Sequence, residues 1–343
     1  MGDGAPPAGS WVNVTANLAN MPSQCGNMSY VSAKPDEDLL IAGIAELALW
    51  ASRDGGQSWK ALSASTDASA TITNRTSSII YDPSDATRYW ESGLYNGGAA
   101  YETTDDGVTF TQLGSAVSSD LVSIDFTDPN RQTLLLGGHE QFQTLYRSTN
   151  GGTTWTPVGA KLPPSTNCTY PLVIDAQTHL VGCGGYGGGV SGVYRTTDGA
   201  TTWVNVTSLG GSGRPLVASD GSFYWASPGG AGMARSTDKG LTWANPLAGS
   251  SSVASFSPIE LPDGRIATIG PATGSQTIVV SADHGATWRA VSTPLPYADV
   301  SGFTYSSHRK AFYVWHFTCS SFTMPVPVPT DAIMAYSFDY QSG

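Results

Sequence analysis

Apolar and polar residues alternate along the chain in short runs. Residues 28–33, 39–42 and 47–52 form one group of three, 77–81, 88–91 and 99–103 a second, and 121–126, 133–136 and 144–148 a third. The alternation, and the wealth of β-branched and aromatic residues, belong to half-buried strands. Turn-forming clusters, Lys34-Pro-Asp-Glu-Asp38 and Asp82-Pro-Ser-Asp85, divide the first two runs of their groups. No stretch carries a helical period, so the chain reads as all-β.

An octapeptide closes each group and recurs six times: Ser52-Arg-Asp-Gly-Gly-Gln-Ser-Trp59, Thr103-Thr-Asp-Asp-Gly-Val-Thr-Phe110, Ser148-Thr-Asn-Gly-Gly-Thr-Thr-Trp155, Thr196-Thr-Asp-Gly-Ala-Thr-Thr-Trp203, Ser236-Thr-Asp-Lys-Gly-Leu-Thr-Trp243 and Ser281-Ala-Asp-His-Gly-Ala-Thr-Trp288. The Asp or Asn can accept amide hydrogen bonds within its own turn. The Gly permits positive φ, and the closing aromatic starts the next strand and buries a large ring. The third positions, Asp54, Asp105, Asn150, Asp198, Asp238 and Asp283, are 51, 45, 48, 40 and 45 residues apart. A four-stranded propeller blade takes about 40–45 residues.

This octapeptide resembles the Asp-box, or bacterial neuraminidase, repeat of the sialidase and xyloglucanase-like propellers, and the resemblance covers nearly the whole chain. It implies that the boxes are structural turns on the face opposite the active site. The chain ends supply a further blade. Runs 300–305, 311–317 and 332–337 come after Trp288, and the last ends in Ser337-Phe-Asp339, half an octapeptide. Near the start, Trp11-Val-Asn-Val14 repeats Trp203-Val-Asn-Val206. Residues 11–14 are therefore expected as the outer strand of the last blade. Residues 1–10 read as a flexible segment and 11–343 as a single seven-bladed β-propeller with Asp-box turns.

Composition narrows the function. With 16 Lys+Arg against 27 Asp+Glu, the formal charge is −11, which repels phosphate backbones and makes nucleic acid an unfavourable partner. No apolar run is long enough to span a membrane as a helix. The first nine residues lack a basic start followed by an apolar stretch and read as a mature start rather than a leader. Four widely spaced cysteines and five Asn-x-Ser/Thr sequons, at Asn13, Asn27, Asn74, Asn167 and Asn205, favour an oxidising, extracellular home for a glycoprotein. No metal or cofactor is expected, and the chain reads as a monomer. Four cysteines allow three pairings. In the propeller frame, Cys168, in the link into blade four, and Cys183, after that blade's second strand, share one rim. Cys25, in the link into blade one, and Cys319, in the long loop of blade seven, are neighbours around the ring. Cys168–Cys183 and Cys25–Cys319 are thus the expected bonds.

By resemblance to sialidases and xyloglucanases, the site lies on the rim opposite the boxes, reached by the loops after the second strands and by the blade-to-blade links. This places there Glu46, Arg75, Glu91, Tyr95, Asn96, Asp120, His139, Glu140, Gln141, Tyr186, Arg214, Tyr297 and His316. Gly137-Gly-His-Glu-Gln141 is the most suggestive segment: His139 is a candidate base near neutral pH and Glu140 an acid if desolvated, or both cap the strand. In Trp90-Glu-Ser-Gly-Leu-Tyr-Asn-Gly-Gly98, Glu91 and Tyr95 are an acid and a proton donor, or a buried hydrogen-bonded pair. Arg75 is a carboxylate clamp, or belongs to a glycosylated surface turn at Asn74. His316 is a ligand contact or a satisfied edge histidine.

The arginine triad and the Phe/Tyr-Arg-Ile-Pro motif of sialidases are not matched, which disfavours that activity. The leading expectation is a secreted enzyme that cleaves a glycan. Hydrolysis would use two carboxylates from Glu46, Glu91, Asp120 and Glu140. β-Elimination from a uronate would use His139 or Tyr95 as base, with Arg75 neutralising the substrate carboxylate. The alternative is a binding propeller, or an enzyme for a small apolar, terpenoid-like or aromatic molecule. It rests on the uncharged segment 318–330, with Phe322 and Met324, read either as a lid or as a cover for blade seven.

Overall fold

The computed structural model describes residues 8–62, 72–116, 118–184, 190–227, 232–246, 253, 256–271, 274–319 and 325–341. Tyr186 and Phe322 lie outside them. Seven antiparallel sheets form the blades of a β-propeller. The chain divides into two compact units: residues 1–112 with 292–343, and residues 113–291.

The first unit holds blades one, two and seven. Blade one comprises Met28–Ala33, Leu40–Ile44, Leu49–Ser52 and Lys60–Ala61. Blade two comprises Arg75–Asp82, Asp85–Leu94, Ala100–Thr103 and Thr111–Gln112. Blade seven has Gly302–Ser306, Ala311–Trp315 and Ile333–Ser337, with Trp11–Asn13 as its outer strand, Val12 opposite Ala335. The N-terminal strand thus completes the last blade, as its sequence echo predicts. Val31, Ala42, Tyr313, Trp315 and Ile333 pack between blades seven and one.

The second unit holds blades three to six. Blade three runs Ser119–Ile124, Leu134–Gly138, Leu145–Ser148 and Thr156–Pro157. Blade four runs Tyr170–Val173, His179–Cys183, Gly192–Thr196 and Val204–Thr207. Blade five has Ser212–Val217, Phe223–Ala226 and Met233–Ser236. Blade six has Ile259–Glu260, Ile266–Gly270, Thr277–Ser281 and Arg289–Ala290.

Every octapeptide begins at the end of a third strand and turns the chain out of it. Its opening Ser or Thr donates to the Asp or Asn at 2.7–2.9 Å. The same oxygen accepts the N–H two residues beyond the Asp or Asn. Hydrogen bonds from Thr202 and Thr287 hold Asp198 and Asp283 down at about 2. These carboxylates are occupied within their own turns, which leaves chemistry to other loops.

The bonds Cys25–Cys319 and Cys168–Cys183 are both formed, one in each unit. The described parts of the uncharged blade-seven segment are pinned to the approach to blade one. Val326–Pro327 pairs with Pro22–Ser23, Asn27 Nδ2 donates to Pro327 O at 2.7 Å, and Val326 and Val328 are buried. Those parts are a cover rather than a lid. Three of the sequon asparagines, Asn27, Asn74 and Asn167, are buried, so the surface turn expected at Asn74 is not formed.

Candidate functional site

The first strands of blades one, two and three share a device. In each, pairing with the second strand slips by one residue near the start, at Met28/Tyr30, Thr76/Ser78 and Ser119/Leu121. Such a bulge re-aims one side chain. In blades one and two that residue is Ser29 or Ser77, whose hydroxyl donates to the carbonyl of Gly43 or Ser92 at 3.0 Å. In blade three it is Asp120.

Asp120 points its carboxylate at His139, the first residue past the second strand. Both carboxylate oxygens lie 3.1 Å from Nδ1. A carboxylate can only accept, so Nδ1 carries the proton and Nε2 is the accepting nitrogen. Nε2 stands 3.6 Å from Glu140 Oε1. The His139 and Asp120 side chains are 14% and 17% exposed, Glu140 is 42% exposed, and its φ is +53°. Gln141 and Phe142 continue the segment outward.

Tyr170, not anticipated from the sequence, opens the first strand of blade four near enough to Asp120 to feel its charge. Burial, then the Asp120 charge, pushes its phenol up to about 12. Gly137 makes the approach possible, because a Cβ there would collide with the Thr169 carbonyl beside Tyr170. The Cys168–Cys183 bond fixes the same link. A signal was available: Tyr170 opens blade four much as Ser119 and Asp120 open blade three.

The remaining expected residues are dispersed. Arg214 is exposed in the strand opening blade five, its N–H donating to Ser257 Oγ at 2.8 Å. In the first unit, Glu91 lies within the second strand of blade two rather than in a loop. It is fully buried, takes a hydrogen bond from Asn74 Nδ2 at 3.2 Å, and is pushed up to about 8 by burial. A carboxyl so enclosed meets no substrate in this conformation. Tyr95 is 40% exposed, its ring 4.8 Å from the Arg75 guanidinium carbon. Asn96 and Glu46 are exposed, and the Glu46 N–H donates to Thr73 O at 3.1 Å. Tyr297 stacks on His316 at 4.0 Å, and Asp299 and Asp331, neither expected, stand 3.4 and 3.5 Å from the His316 nitrogens. Among the described residues, no cluster of His, Cys, Asp and Glu is placed to hold a metal ion.

No family model matches the chain, and no curated protein sequence does. Solved structures do resemble it. A GH74 enzyme of Niastella koreensis has a TM-score of 0.61 at 17% identity, over 91% of this chain and 55% of that one. The GH74 xyloglucanase of Xanthomonas campestris has a TM-score of 0.60 at 16% identity, over 96% and 56%. YCF48 bound to a D1 peptide has a TM-score of 0.56 at 16% identity, over 98% of both chains. The chain spans about half the length of the two GH74 enzymes. At these identities the likeness shows a shared propeller fold.

Proposed function

We propose that the chain is an extracellular carbohydrate-active enzyme in which His139 moves a proton, and that it cleaves an acidic glycan by β-elimination. One observation carries this reading: the His139 imidazole lies between the carboxylates of Asp120 and Glu140. A glycosidase working with two carboxylates keeps the scissile bond between them. Here the imidazole fills that space, so the carboxylates serve the histidine. Asp120 sets its tautomer and Glu140 favours the imidazolium that forms. Nε2 takes the proton from the carbon α to the uronate carboxylate. The electrons of that C–H bond form the new double bond, and the bond to the glycosidic oxygen breaks. Tyr170, held protonated, gives that oxygen its proton. Arg214, exposed in the strand that opens blade five, is the cation assigned to the substrate carboxylate. Two disulfides support an oxidising home.

The test is ultraviolet absorbance during digestion of a panel of uronate polymers, where unsaturated products absorb. Absorbance should rise with the wild type and vanish with H139A. New reducing ends without absorbance, or full activity in H139A, would remove the reading. A binding propeller is the second reading, supported by the peptide-bound YCF48 structure, which matches over nearly all of both chains. It predicts retention on a ligand with no turnover.

A further inference from the structure

Tyr95 and Asn96 are consecutive residues with φ of +55° and +40°. For a side chain as bulky as tyrosine this backbone is an outlier. Such residues persist only where their surroundings over-determine them, and they gather at ligand sites. The surroundings here do so. Thr73 Oγ1 donates to the Asn96 carbonyl, Asn74 Nδ2 donates to Gly98 O at 3.0 Å, and the Gly98 N–H donates to the Tyr101 hydroxyl at 3.0 Å. A Cβ on Gly98 would fall 2.7 Å from the Gln112 side chain, which packs against the turn. Buried Glu91 in turn accepts from Asn74.

This rigid turn presents the Tyr95 ring, 40% exposed and held by the Arg75 guanidinium 4.8 Å from its centroid. A flat ring suits the C–H face of a pyranose. A guanidinium suits a carboxylate, through two parallel hydrogen bonds. In a chain of formal charge −11, an anionic sugar needs such a local cation. We propose that Tyr95 and Arg75 form a subsite for a uronic acid unit of an oligosaccharide, the sugar ring stacking on Tyr95 and its carboxylate meeting Arg75. This rests on the reading of the chain as one that acts on acidic glycans.

Titration calorimetry with oligogalacturonate, oligoglucuronate and oligomannuronate, and with a xyloglucan oligosaccharide as neutral control, tests it. The wild type should bind at least one oligouronate more tightly than the neutral control. Y95A should weaken that binding about tenfold, a loss of about 1.4 kcal/mol. Y95F keeps the ring and should stay within about threefold. Tyr95→Gly accommodates the positive φ and secures a folded protein without the ring. R75M should erase the preference for acid over neutral sugar. Wild-type affinity in both Y95A and Tyr95→Gly, equal affinity for the neutral control, or no binding by the wild type would each overturn the subsite. Tyr95-dependent binding with no cleavage by any variant would remove the proposed chemistry and keep the subsite.

Discussion

His139 in one unit and His316 in the other occupy the same place in their blades, just past the second strand, and each stands between two carboxylates. Their surroundings differ. Asp120 reaches His139 from a bulge with both oxygens at 3.1 Å, and Glu140 is 42% exposed beyond the opposite nitrogen. His316 lies flat against Tyr297, whose hydroxyl donates to backbone oxygens of Val314 and Ala332. Its two nitrogens are buried and make no hydrogen bond. The lesson is that flanking charge alone does not make a base. One nitrogen must be fixed by a hydrogen bond and the other turned toward the reactant. His139 has the first of these in its Asp120 hydrogen bond, with Nε2 facing the exposed Glu140, whereas neither His316 nitrogen is hydrogen-bonded and its ring lies on Tyr297.

Substitution separates the two most widely in turnover. H139A should lower the rate on a cleaved glycan by about 10²–10⁴-fold, the usual share of a general base. H316A should leave it within about threefold. D120N, which loses the tautomer control, should behave like H139A. Equal losses at both histidines would erase the distinction.

Stability should reverse the order. The disulfide close to each histidine comes first. Cys25–Cys319 spans 294 residues and Cys168–Cys183 spans 15. Loop-closure entropy then assigns about 5–6 kcal/mol to the first and about 3 to the second. Paired Cys→Ala variants followed by urea unfolding measure this, and a larger loss at Cys168–Cys183 would contradict it. Next, H316A should cost about 1–2 kcal/mol through the lost stack on Tyr297 and the lost packing, while H139A should cost under about 1. If H139A were the more destabilising, His139 would be the structural knot instead.

The fold was legible because one turn chemistry is written six times, and because Trp11-Val-Asn-Val14 repeats an outer-strand segment at the far end of the chain. The site was legible only in part. His139 and Glu140 stand out beside a glycine pair, but Asp120 reaches them through a bulge that no pattern announces. Tyr170 is brought near because Gly137 packs against the backbone of Thr169, its neighbour, across more than thirty residues of sequence. Asp299 and Asp331 read as ordinary loop acids until folding sets them on either side of His316. Glu91, expected on the rim, is buried instead because the second strand of blade two runs past residue 91 to Leu94.

Glu91 sharpens the contrast between the units at the smallest scale, because it is an ionisable group of the first unit devoted wholly to packing. Burial raises its carboxyl to about 8 in the folded protein, against an ordinary value of 4.5. Between those values the folded chain keeps a proton that the unfolded chain has released. Stability from this group is therefore full below about pH 4.5, falls by about 1.4 kcal/mol per unit as pH rises, and levels off above about pH 8. Gln carries no proton to lose and still offers Asn74 an acceptor, so E91Q should lack this slope. Urea midpoints of wild type and E91Q compared at about pH 6 and about pH 7 isolate the difference, since all other groups titrate alike in both. Parallel profiles would mean that Glu91 is ionised inside the blade, and the hydrogen bonds around Asn74 would then have to be holding a charge.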